Sequence, residues 1–63
     1  MWIITNDGAT NTDHLTDIVL GHEPTRVVGV RPDESEFTLA PAKDFDKIMQ
    51  ALKNGDNSVY VSF

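Results

Sequence analysis

The chain has 63 residues, with five Lys or Arg against ten Asp or Glu and a formal charge of −5. That length allows one domain, residues 1–63, whose single core supplies no more than about 3–5 kcal/mol unless something supplements it. There is no cysteine, which excludes disulfides, thiolate metal sites and thiol catalysis, and the acidic balance argues against direct contact with nucleic acid or anionic lipid.

Trp2-Ile3-Ile4-Thr5 is rich in strand formers and ends at the turn signal Asn6-Asp7-Gly8. MWIIT has no basic n-region and only four consecutive apolar residues, so neither a signal peptide nor a membrane span is expected, and the chain reads as cytoplasmic. Trp2 is expected in the core near the helix. Ala9 to His14 is polar and turn-like, with room for a short paired segment because Asp7-Gly8 favours a tight hairpin.

Leu15 to Leu20 reads as a second strand, with Thr16, Ile18 and Leu20 inward and Asp17 outward. Gly21-His22-Glu23-Pro24 turns the chain into a third strand, Arg26 to Arg31, where Gly29 signals a bulge or the close approach of another backbone. After the acidic loop Pro32 to Ser35 comes a fourth strand, Glu36 to Ala40, with Phe37 and Leu39 inward.

Pro41 to Gly55 carries the one convincing helical pattern. Phe45, Ile48, Met49 and Leu52 recur at i, i+3, i+4 and i+7 and define an apolar face. Pro41 suits a first helical turn, Asp44 and Asp46 lie at the positive end of the dipole and Lys53 at the negative end, and Asn54-Gly55 supplies a left-handed stop. Ser58 to Phe63 then alternates as a fifth strand, with Val59, Val61 and Phe63 on one face and Ser58, Tyr60 and Ser62 on the other. The expected fold is α+β: a single, mostly antiparallel sheet of four to five strands with one amphipathic helix packed on one face, in the order β-β-β-β-α-β.

Met1-Trp2-Ile3, Thr5, Asp7-Gly8, Asn11, Asp13, Leu15 and Ile18 make the pattern M-W-I-x-T-x-D-G followed by N-x-D-x-aliphatic. In this the chain resembles a group of small uncharacterised proteins from Gram-positive bacteria and their phages. The resemblance implies two further strands and a closing amphipathic helix, which falls here at Phe45 to Leu52. It implies no catalytic or binding residue. The chain departs from the pattern in its last strand and its Pro41-led helix start.

Chemistry is sparse. His14 and His22, with Asp13, Asp17 and Glu23 nearby, are the candidates for a metal or a base. They bracket the second strand, and eight residues at roughly 3.3 Å each separate them by about 26 Å, beyond the reach of one ion. They read as loop histidines. Asp33, Glu34 and Glu36 lack the spacing and the glycine of a calcium loop. The glycines form no phosphate cradle, and no serine sits in a G-x-S-x-G elbow. No catalytic residue, metal or cofactor is expected, and the chain is read as a non-enzyme.

The terminal strand is the more telling stretch. SVYVSF is uncharged in its side chains and strongly β-prone, so a free edge there invites pairing, within the sheet or across a homodimer. The reading is a small protein-interaction or structural module that self-associates or meets a protein partner, with Tyr60, Ser58 and Ser62 as candidate interface residues. The alternative is an acidic inhibitor or decoy of a nucleic-acid-binding protein, resting on charge alone.

Overall fold

In a computed structural model the described residues are 1–62. The chain is α+β, and its described residues form six strands in two small sheets and one helix. The strands are β1 (Trp2–Thr5), β2 (Gly8–Asn11), β3 (Asp17–Gly21), β4 (Arg26–Val30), β5 (Glu36–Pro41) and β6 (Ser58–Tyr60); α1 spans Phe45–Asn54. The expected single sheet is therefore replaced by two three-stranded sheets, β2-β1-β6 and β3-β4-β5.

The reason lies at residues 12–14. Asn6 and Asp7 turn β1 into β2, whose first residue is Gly8, so the short paired segment expected in the polar stretch forms as far as Asn11. The hairpin is then tied off by a short 3-10 turn, Thr12–His14. The Thr12 N–H and Oγ1 both donate to the Met1 carbonyl at 2.9 Å, which buries this polar side chain with its partner satisfied. Asn11 Oδ1 accepts from the Asp13 N–H at 3.0 Å, and the Asp13 carboxylate pairs with the N-terminal ammonium at 3.2 Å. From this knot the chain leaves the first sheet, and β3, β4 and β5 form an antiparallel meander of their own.

The fifth expected strand, Ser58 to Phe63, is shorter in the structure: β6 ends at Tyr60, and Phe63 lies outside the described residues. β6 lies parallel to β1, with Ile3 opposite Val59, the one parallel pairing in the two sheets. A parallel return needs a crossover, and α1 supplies its helix.

The helix is ten residues long, shorter than the sequence pattern suggests. Pro41 closes β5 with an extended backbone, a 3-10 turn takes Ala42–Asp44, and α1 begins at Phe45. Its end is as expected. Gly55 adopts φ 73, its N–H reaches Leu52 O at 3.2 Å, and the Asp56 N–H reaches Ala51 O at 3.0 Å. These paired bonds satisfy two of the orphan carbonyls of the last turn. The buried face is rotated from the expected one: Ile48 is 0% and Ala51 5% exposed, Phe45 and Met49 are partly buried, and Leu52 is 40% exposed. The small Ala51 faces the core, α1 packs beside β6, and Leu52 lies at the rim.

One core joins both sheets and the helix through Ile3, Val27, Leu39, Ala40, Ile48, Ala51, Val59 and Val61. A register shift opposite Val27 and Val28 leaves Leu39 as an extra residue in β5, which lets the consecutive Leu39 and Ala40 both be buried. Gly29 does not mark that bulge. It makes room for side chains: a Cβ there would lie 3.0 Å from Leu15 Cδ1 and from the Phe37 ring. Leu20, expected inward, is exposed, because β3 is an edge strand at the rim of its sheet. No helix among the described residues is long and apolar enough to cross a membrane.

Candidate functional site: the outer face and two edges of the first sheet

Strand periodicity divides β1 and β6 into two faces. Ile3, Val59 and Val61 point into the core. Trp2, Ile4, Ser58 and Tyr60 point the other way, with Trp2 paired to Ser58 and Ile4 to Tyr60. Trp2 is 48% exposed, which overturns its expected place in the core beside the helix. Its neighbour Ile3 takes the buried position, and β1, paired without a bulge, sends adjacent side chains to opposite faces. Tyr60 is 67% exposed and sits diagonally across from Trp2 on the same face. Ala9 and Asn11 of β2 continue this face, so the side chains along it carry no charge.

β6 is an edge strand. Trp2 N–H donates to Asn57 O and Val61 N–H to Ile4 O, both at 2.9 Å. Odd-numbered residues therefore bond to β1, and the backbone groups of Ser58 and Tyr60 face outward. Ser62 follows the same phase, but its N–H donates to Asp44 Oδ2 at 3.3 Å. Asp44 was expected to act as a dipole complement; its carboxylate also caps one end of the open edge. Nothing in the local sequence signals this contact, which spans 18 positions.

The opposite edge is β2. The Thr12-to-Met1 bond sets the phase of the hairpin, so Thr10 bonds to β1 while the backbone groups of Ala9 and Asn11 face outward. Beside this edge runs an open cleft of about 640 Å³, walled by Trp2, Leu15 and Phe37 and by Ala9, Thr10 and Asn11 of the strand. The remaining lining is His14, Arg31 and Pro32. Sequence reasoning missed this cleft, because it forms between the first hairpin and the ends of β4 and β5, segments about 20 positions apart in the chain. Arg31 lies over the Phe37 ring, 4.2 Å from its centroid, and its Nη1 donates to Ser35 Oγ at 3.3 Å. Asp33 accepts from the Ser35 N–H at 3.0 Å and from its Oγ at 2.6 Å. These bonds, with the Arg31 charge as a lesser contribution, hold the Asp33 carboxyl below the usual value of 3.8.

The two histidines are both exposed, His14 in the cleft wall and His22 in the β3–β4 turn. Among the described residues no three His, Asp or Glu side chains gather as a metal-binding group. No protein-family model matches this chain, no curated protein matches it, and no solved structure matches its fold.

Proposed function

We propose that this protein is a small non-enzymatic interaction module that self-associates through the outer face of β1 and β6 and the open edge of β6. The carrying observation is the exposed pair Trp2 and Tyr60, side by side on an uncharged face beside a free strand edge. Amphipathic aromatics of this kind are the usual anchors of protein interfaces. A two-fold contact pairing β6 with a second β6 extends the sheet across two subunits. Charge supports the location. Copies of a chain with charge −5 repel, and this face brings no charged side chain against itself. Ser58 supplies outward backbone groups, Tyr60 the side chain, and the Asp44-capped Ser62 the boundary. The expected setting is the cytoplasm of a Gram-positive bacterium or its phage, in keeping with the cysteine-free chain and the resemblance in its first half.

Asp44 sits at one end of the β6 edge, so screening its repulsion with its copy strengthens the dimer. Sedimentation equilibrium at micromolar concentration is expected to show a dimer whose population rises with salt, and Tyr60→Glu is expected to return monomer with a native circular dichroism spectrum and a melting temperature that no longer depends on protein concentration. A parent that is monomeric throughout sinks the proposal. An acidic decoy behaves oppositely: its complex with a basic partner dissolves as salt rises.

A further inference from the structure

The cleft beside β2 has a charge character at odds with the chain that builds it. The protein carries ten carboxylate side chains, yet none lines the cleft; its ionisable lining residues are Arg31 and His14. Asp33, Glu34 and Glu36 follow Arg31 in the chain, but none of them lines the cleft, and Asp33 is turned onto Ser35 by two hydrogen bonds. Arg31 is held from two sides, by the Phe37 ring beneath it and by Ser35 Oγ. A guanidinium fixed in this way keeps a planar fork of donors suited to a carboxylate, with little side-chain entropy left to lose.

The second feature is the strand itself. β2 pairs only with β1, and Ala9 and Asn11 turn their N–H and C=O groups away from it, along the cleft. An open edge beside a pocket is the arrangement that lets a sheet take up an extended peptide: main-chain bonds supply affinity and the pocket reads a side chain. The walls made by Leu15 and Phe37 suit an apolar neighbour of that side chain.

We propose that the cleft receives an extended peptide from a protein partner, which adds as a strand to β2, places an Asp or Glu carboxylate on Arg31 and lays an apolar residue against Leu15 and Phe37. This goes beyond self-association through β6 and uses the opposite edge of the same sheet; Trp2 borders both surfaces, and the monomeric Tyr60→Glu variant separates the two.

The test is binding of the intact protein to an array of random hexapeptides with both ends capped. Bound peptides are expected to share an Asp or Glu at one fixed position flanked by β-branched or aromatic residues. For the best of them, Arg31→Gln is expected to weaken binding at least about tenfold, the scale of one lost charge-assisted hydrogen bond, with melting and dimer content retained. The amide signals of Ala9 and Asn11 are expected to shift on titration. Tyr60→Glu, the monomeric variant, is expected to bind the same peptides. Absence of an acidic preference, indifference to Arg31→Gln, or shifts confined to residues away from Ala9–Asn11 overturns the proposal. Sodium acetate alone is the control: if it binds as tightly as the best peptide, the cleft is a plain anion site and strand addition is refuted.

Discussion

The two faces of the β1–β6 pair both carry large apolar surface and do opposite things. Ile3, Val59 and Val61 on the inner face are buried against α1 and the second sheet, while Trp2 and Tyr60 on the outer face stand in solvent although they are the largest side chains of the two strands. Residue type separates the two faces of β6, but not those of β1, where Trp2 and Ile4 on the outer face are as apolar as Ile3 on the inner one. What separates them is whether another element covers the face, and one ten-residue helix covers only the inner one. Hydrophobic burial therefore acts where the lid is, and the uncovered face keeps aromatic surface available for a partner.

The largest expected effect comes from breaking the covered side. Ile48 is completely buried, so Ile48→Asp places an unpaired carboxylate in the core, at a cost of several kcal/mol by analogy with other buried unpaired charges. That exceeds the few kcal/mol a chain of this size commands, and circular dichroism is expected to show an unfolded protein. A native-like melt for this variant denies α1 its role as the lid.

Gly29→Ala probes the same side from the second sheet. The new methyl meets Leu15 and the Phe37 ring at 3.0 Å, and Phe37 is itself pinned under Arg31. A cost of about 1–2 kcal/mol is expected in chemical denaturation, because crowded cores yield by moving side chains off their rotamers.

The outer face should behave differently. Trp2→Ser is expected to change monomer stability by less than about 1 kcal/mol, since half of the ring is already in water, while reducing association in sedimentation. A loss as large as that of a core truncation shows that the outer face is structural after all.

The smallest effect concerns pH. The Asp33 carboxyl is depressed by its bonds to Ser35, so its contribution is present above the ordinary carboxylate pKa and disappears as pH falls through the lowered folded value. The group is fully exposed, and only a minor steepening of acid unfolding is expected. Ser35→Ala should return the Asp33 titration, followed by NMR, towards 3.8.

Local signals in the chain were sufficient for the elements whose stability is local. Gly55 had to stop the helix because it alone takes the left-handed φ without a Cβ penalty, and the Asp7-Gly8 turn made the first hairpin expected. The alternation in Val59, Tyr60 and Val61 correctly separated a buried set from an exposed one. Other features depended on contacts between distant segments. Trp2 points outward because Ile3 faces a helix more than 40 positions away. Leu52 is half in water because Ile48 and Ala51 take the core-facing positions of α1, and the sheet divides in two because Thr12 locks onto Met1. Asp44 caps an edge it cannot be seen to approach from its neighbours, and the cleft beside β2 exists only once the Arg31–Phe37 pair is folded against the first hairpin. Periodicity states that a strand has two faces and that a helix has a stripe. Which face is covered, and what is left open for a partner, depends on long-range packing that no local pattern encodes.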